Sequence, residues 1–200
     1  MQVVDWEAQW REFAENFYDG LSHIDLQKYG SASLKQLLLL PGPGFGDLSH
    51  PTTALMMELM SSYIRGKNVL DIGCGSGILS LAALLLGAKK AVGVDIDAEA
   101  VSHARKNAEK NGLSSQVHFC ESTNSLTGTY VMLLNMIIQE QRVVMEEREA
   151  LNKRASLWIV SGILQEQKEH YLELAASWGW KPILRREKEG WLAFVFKKLS

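Results

Sequence analysis

Only two cysteines, Cys74 and Cys120, occur in the 200 residues. Neither belongs to a C-x-x-C pair, so the ligand spacing of a structural zinc site is missing, and two lone thiols fit a reducing, cytoplasmic compartment. His23, His103, His118 and His170 show no ligand spacing either, and no metal is expected. Charge of neither sign dominates: 21 Lys+Arg stand against 23 Asp+Glu, a formal net charge of -2. The broad basic footprint of a nucleic-acid binder is therefore absent, and the small cluster Arg185, Arg186, Lys188 reads as a solvated face. Long apolar runs are absent too. The longest, Ile78 to Leu86, is interrupted by Ser80 and falls well short of the roughly 20 residues that span a bilayer. The N-terminal MQVVDWEAQWREF carries charge and tryptophan where a signal peptide needs an apolar stretch. No repeat or low-complexity segment appears. What remains, 46% hydrophobic and 22% charged, is the balance of an ordinary globular chain with one core.

The present features begin with Trp6, Trp10, Phe13 and Phe17, spaced four, three and four apart. That spacing predicts an amphipathic N-terminal helix with one aromatic face, either packed on the domain or docking a partner. A polar, Gly-bearing stretch follows from Asp19 to Ser33, with no element assigned to it. Leu37–Leu40 predicts a short buried strand, and PGPGFGD, 41 to 47, a non-helical loop. A helix is expected over 51–65, with Pro near its first turn. From Asn68 onward strand and helix alternate. Strands are predicted at 68–72, 91–96, 117–120, 130–135 and 157–162. Helices are predicted at 78–86, 98–110, 137–153 and 165–178, the one over 98–110 stopped by Asn111-Gly112. PILRRE and WLAFVFKK read as a terminal hairpin turning at Glu189-Gly190. Repeated βα units imply a parallel sheet covered on both faces.

The segment VLDIGCGSGIL, 69 to 79, runs a strand through Gly73, Gly75 and Gly77 directly into a helix. Glycines there permit a tight turn and close approach of a ligand to the backbone. The free N–H groups at the helix start favour a diphosphate or a carboxylate. The following strand ends at Asp95, eighteen residues beyond Gly77, where a carboxylate can accept the ribose hydroxyls of an adenosine-containing cofactor. A dinucleotide fingerprint asks for a third small residue three beyond its second glycine. Counted from Gly73 that position is Ile78, and from Gly75 it is Ser80. The compact G-x-G-x-G with Asp71 ahead of it suits S-adenosylmethionine better, and NAD stays open on the motif alone. Cys74 inside the loop reads as a space-filling residue.

On these blocks the chain resembles the PrmA family, the bacterial methyltransferases of ribosomal protein L11. PGPGFGDLSHPTT, 41 to 53, is similar to the family's PG-x-AFGTG-x-HPTT segment. Residues 70 to 112 are similar to its cofactor core, LLNMI, 133 to 137, to its ANIL block, and SGILQEQ, 161 to 167, with Trp191, to its last strands. DWEAQWREFAENF, 5 to 17, looks like the family's linker helix. The resemblance implies a Rossmann-like class I methyltransferase: a mostly parallel seven-stranded sheet with helices on both faces, preceded by an N-terminal helix. Residues 1–40 would form a helical linker segment packed on the domain, and 41–200 the S-adenosylmethionine-dependent methyltransferase domain. It further implies that Gly73, Gly75, Asp95 and Ile96 hold the cofactor, that Asp71 orients its methionine end, that Phe45 and Thr52 or Thr53 close the pocket, and that Ser161 and Gly162 form the opposite wall. Glu121, after the third strand, is placed near the adenine edge, and Asn135 beside the reactive methyl.

The departures are specific. The family's Thr-Gly in FGTG is Asp47-Leu48 here, the acid ahead of ANIL aligns with Tyr130, and the 200 residues begin at about the linker helix. The resemblance implies a protein acceptor, while these departures, with the family's N-terminal substrate-recognition domain expected to be lacking, count against L11 itself. The acceptor atom is expected to be a nitrogen. A lysine-like amine, which in water titrates near 10.4, costs about 4.6 kcal/mol to neutralise at pH 7. Asn135 would accept N–H bonds from it and aim the lone pair; an amide is no base, so no general base is assigned. His50 is expected to make a hydrogen bond that stabilises its loop. The rival readings are an RNA or small-molecule methyltransferase on the same fold, and a cofactor-binding scaffold that is inactive without a partner. Oligomeric state is not legible.

Overall fold

The computed structural model describes residues 8, 11–12, 16–30, 36–43, 46, 50–123, 127–147 and 149–199. Trp6, Trp10 and Phe13 of the expected aromatic face lie outside them. Ala8, Arg11 and Glu12 are helical, whereas Phe17 belongs to a strand and not to that helix.

The chain first builds a small antiparallel sheet in the order β1-β2-β3, from β1 (Phe17–Tyr18), β2 (Leu21–Asp25) and β3 (Gln36–Leu39). The polar stretch after Asp19 thus contains a strand. Asp19 and Gly20, with φ of 53° and 74°, form its two-residue turn, the conformation that matches the twist of a hairpin. Ile24, Leu37 and Leu39 are fully buried and join one hydrophobic cluster with the helices that follow. β3 is also held by side chains. Asn111 accepts from the Leu38 N–H at 2.9 Å and donates to the Leu38 carbonyl at 2.7 Å. Asn107 accepts from the Leu40 N–H at 2.8 Å, and the His103 ring lies 2.7 Å from the Leu40 carbonyl. His103, Asn107 and Asn111 recur every four residues along one helix and its cap, so one helical face supplies the polar partners that a neighbouring strand would otherwise supply.

The main sheet has seven strands in the order β6-β5-β4-β7-β8-β10-β9. They are β4 (Asn68–Ile72), β5 (Lys90–Val94), β6 (Val117–Cys120), β7 (Tyr130–Asn135), β8 (Ala155–Leu164), β9 (Trp180–Lys188) and β10 (Trp191–Lys198). β6, β5, β4, β7 and β8 run parallel, and β10 is antiparallel to both neighbours. The helices are α1 (Pro51–Met60), α2 (Ile78–Leu85), α3 (Ala98–Lys110), α4 (Ile138–Glu147), α5 (Glu149–Arg154) and α6 (Lys168–Ser177). The helix expected over 137–153 is seen as α4 and α5 on either side of residue 148, which lies outside the described residues, and that expected over 51–65 ends at Met60. β9 is one edge of the sheet and is largely exposed, carrying Lys181, Pro182, Arg185, Arg186, Glu187 and Lys188. Its hairpin with β10 turns at Glu189 and Gly190, both at positive φ, as the sequence predicts.

Period-two alternation sorts the sheet's side chains between two cores. Val131 and Leu133 of β7 pack with α1, α2 and α3. Met132 and Leu134 pack with residues of α4, α5 and α6 on the other face. No helix among the described residues is long and apolar enough to cross a membrane.

Two local features place the site. In β8 the pairing with β10 slips between Leu192 and Phe194, which face Ile163 and Val160. The extra residue is a bulge at Ser161–Gly162, where Gly162 takes a φ of 87°. A Cβ there would sit 2.2 Å from the Met136 carbonyl oxygen, so only glycine lets the β7–α4 connection lie against β8. In β4, Asp71 is 1% exposed. Its carboxylate accepts from the Ser80 N–H at 3.1 Å and hydroxyl at 2.8 Å, tying β4 to α2. Burial outweighs those bonds and pushes its pKa up to about 7.

Gly162→Ala is expected to destabilise the fold by about 2–3 kcal/mol, through a backbone clash and an unfavourable φ, read as a lowered urea midpoint. Asp71 gives a pH signature. The unfolded carboxyl ionises near 3.8 and the folded one near 7, so in that window the folded chain keeps a proton the unfolded chain has released. Stability contributed by this group falls as pH rises through the window and levels off above it. Unfolding free energies measured from pH 4 to 8 should therefore decline for the wild type relative to Asp71→Asn, with the difference constant above about pH 7.

Candidate active site

Strands β4 and β7 are neighbours whose chains leave in opposite directions across the sheet, β5 and β6 to one side and β8 to the other. Such a switch point opens a crevice beyond the carboxyl ends of the strands. A cavity of about 680 Å³ lies there.

One wall is the turn from β4 into α2. Gly73, Gly75 and Gly77 have φ of 71°, 53° and 80°, and the loop's amides are tied to the next strand. The Gly73 and Cys74 N–H groups donate to the Val94 carbonyl at 2.8 and 3.1 Å. The Gly75 N–H donates to Asp95 Oδ2 at 2.9 Å, and the Asp97 N–H to Asp95 Oδ1 at 3.1 Å. Each Asp95 oxygen thus spends one acceptor site on the backbone and keeps another for a hydroxyl. Gly73, Gly75, Asp95 and Ile96 all line the crevice, Ile96 from a highly exposed position at its rim.

The opposite wall comes from the end of β7 and the start of α4: Asn135, Met136, Ile137, Glu140, Val143 and Val144, with Gly162 beside them. The Asn135 side chain makes no hydrogen bond among the described residues, so its amide is available to the crevice. Pro43, His50, Thr52 and Trp191 complete this side of the lining. His50 caps α1. Its Nδ1 lies 2.8 Å from Thr52 Oγ1, and its ring meets Trp191 edge-on at 5.0 Å. The loop-stabilising role expected for His50 is what this geometry provides.

Several expected contacts are placed elsewhere. Asp71 does not line the crevice; it lies behind the loop with its carboxylate on Ser80, because β4 alternation turns it inward. Glu121 is exposed and off the wall. Ser161 is fully buried behind the bulge, its hydroxyl donating to the Leu192 carbonyl at 2.9 Å, and only Gly162 faces the crevice. Thr52 lines it; Thr53 is buried, and its hydroxyl has no partner among the described residues. Phe45 and Asp47 lie outside the described residues. Sequence reasoning missed Glu140, Val143 and Val144, which enter only because the β7–α4 turn swings the first turns of that helix over the strand ends. Cys74 is buried, and its burial followed by the nearby carboxylates of Asp71 and Asp95 pushes the thiol up, which fits a space-filling residue and not a nucleophile.

The charge of the wall is of one sign. Its acidic side chains among the described residues are Asp95, Asp97 and Glu140, and no lysine or arginine among them lines it. A cofactor with an adenosine, a sulfonium and an ammonium group fits this donor set. Asp95 accepts from ribose hydroxyls, the side-chain-free backbone at Gly73 and Gly75 lets the methionine end approach closely, and the acids favour the cationic centres. A diphosphate finds no cationic partner on that wall, which favours S-adenosylmethionine over NAD. No group of three metal-ligating side chains occurs among the described residues.

Comparison with known proteins gives the same answer independently. The family model described as ribosomal protein L11 methyltransferase (PrmA) matches residues 4–199. A ribosomal protein L11 methyltransferase of Dictyoglomus thermophilum is 34% identical over 198 residues, covering 96% of this chain and 66% of the relative. One of Thermotoga maritima is 31% identical over 196 residues, covering 97% and 74%. The chain thus spans about two thirds to three quarters of these relatives. The crystal structure of a ribosomal protein L11 methylase from Lactobacillus delbrueckii superposes with a TM-score of 0.70 at 26% identity, covering 81% of this chain and 84% of that one. The seven-stranded fold, the crevice and the match over nearly all of the chain together establish that it belongs to the ribosomal protein L11 methyltransferase (PrmA) family.

Proposed function

We propose that the chain transfers a methyl group from S-adenosylmethionine to a nitrogen of a protein, within the activity its family is named for. The observation that carries this reading is the crevice lined, among the described residues, by acidic but no lysine or arginine side chains and, on the wall opposite the glycine turn, by the unengaged amide of Asn135. Bound S-adenosylmethionine supplies an electrophilic methyl, so the protein's task is binding, orientation and electrostatics. Gly73, Gly75 and Asp95 hold the adenosyl and methionine ends. Asn135 accepts an N–H bond from the acceptor and directs its lone pair along the line of displacement.

The carboxylates also create a conflict. They draw a cationic amine into the crevice, yet the same field favours its protonated form. Met136, Ile137, Val144 and Trp191, which line the crevice together with Asn135, supply the opposing effect, since an apolar wall disfavours the ammonium. An RNA acceptor is disfavoured by the same wall, which among the described residues offers no lysine or arginine to a phosphate.

Transfer of labelled methyl from S-adenosylmethionine into purified L11, and into the protein, RNA and small-molecule fractions of a lysate, tests the assignment. Label in the protein fraction is expected. Label confined to RNA would move the acceptor class, and none anywhere would favour the scaffold reading. Asp95→Ala is expected to weaken S-adenosylmethionine binding about 10- to 100-fold by calorimetry, the loss of a charge-assisted bond. Asn135→Ala should leave that affinity near wild type while turnover drops about a hundredfold.

A further inference from the structure

The β7–α4 connection that forms the acceptor wall is held by one fully buried side chain. Gln141, near the start of α4, is 0% exposed. Its Nε2 donates to the Met136 carbonyl at 2.7 Å and to the Ser161 carbonyl at 2.9 Å. Its Oε1 accepts the hydroxyl of Tyr171, itself fully buried on α6. Both amide hydrogens point at carbonyls and the amide oxygen at a hydroxyl donor, so the amide has one satisfactory orientation. Burial pushes the Tyr171 phenol up, which keeps it protonated and donating.

The two carbonyls belong to the places where regular strand pairing breaks. Ser161 sits in the β8 bulge, and Met136 is the residue after β7 where the chain turns to α4. The Met136 carbonyl is also the group that fills the space left by the missing Cβ of Gly162. It is therefore held from two sides, by glycine contact and by an amide donor. Asn135 immediately precedes it, and Ile137 immediately follows.

We propose that Gln141 and Tyr171 act as positioning residues for methyl transfer, fixing the Asn135–Ile137 wall at the distance from the glycine turn that the reaction requires. Neither lines the crevice, so they act through Met136 and Asn135 without touching cofactor or acceptor. The inference rests on the methyltransferase reading for its catalytic consequence and on geometry alone for the latch. A turnover that depends on alignment is sensitive to this latch: a displacement of about 1 Å can lower rate about a hundredfold. Cofactor affinity depends on it less, because the glycine turn and Asp95 are secured by β5, and of the latched segment the Met136 methyl lies against Gly73.

Tyr171→Phe removes one hydroxyl and keeps the ring packed against Phe194 and Phe196; Gln141→Met removes both donors and keeps the helix. In each variant, peptide-level hydrogen exchange across residues 135–141 is expected to rise well beyond any rise across 69–79, and S-adenosylmethionine affinity by calorimetry should fall by less than about threefold. With L11 as acceptor, kcat should drop about 10- to 100-fold. Unchanged exchange in 135–141 for Tyr171→Phe would overturn the latch. Raised exchange with an unchanged kcat would overturn the positioning role. Equal increases in both segments would mark general loosening and also count against it. A wild-type protein that methylates nothing would remove the methyltransferase reading, and the exchange result would still decide the latch.

Discussion

The bond from the Gly75 N–H to the Asp95 carboxylate, 2.9 Å long, is the contact on which the rest of the site depends. It joins the strand-to-helix turn after β4 to the tip of β5. Together with the bonds from Gly73 and Cys74 to the Val94 carbonyl, it converts three glycines at positive φ from a flexible run into a fixed arc. A glycine turn alone would lose much of its order to chain entropy. Anchored to β5, it presents a bare glycine backbone and the Asp95 carboxylate to the same crevice, which is the arrangement an adenosyl amino acid needs.

The two walls are made rigid by different means. The cofactor wall is secured by main chain and one acid. The acceptor wall is secured by tertiary contacts: the β8 bulge, the missing Cβ of Gly162 and the Gln141 amide. This division lets one wall be shared widely among methyltransferases while the other varies with the acceptor.

Sequence periodicity and turn chemistry make the βα sheet legible, because each unit is local: NVLDI before the glycines, the Asn111-Gly112 stop, the Glu189-Gly190 hairpin. The residues that line the crevice at Gly73, Gly75 and Asp95 are legible for the same reason. The β1–β2 hairpin is written in Asp19-Gly20 yet escapes sequence reasoning, since the flanking strands LSHID and FY are too short and polar to alternate convincingly. The bulge at Ser161–Gly162 is hidden because register belongs to a pair of strands and not to either one. Asp71 is misplaced by the motif, which names the residue without saying which face of β4 it takes. Asn107 reads as an ordinary helix residue and Asn111 as a helix stop until β3 lies beside α3. Glu140 and Gln141 are adjacent on α4, one at the crevice and one in the core, a distinction that helix phase sets and spacing alone leaves ambiguous.

The borders of the large sheet carry a consequence for how the molecule behaves in company. An outermost strand offers unpaired amides and carbonyls to any passing extended chain. Here β9 meets that hazard with lysines, arginines and a proline that lacks the donor, and the opposite border, β6, is only four residues long. Neither margin is a serviceable template for strand addition. The fold thus discourages the indiscriminate backbone pairing that ends in aggregates, and the protein acceptor proposed above would meet the crevice through side-chain chemistry.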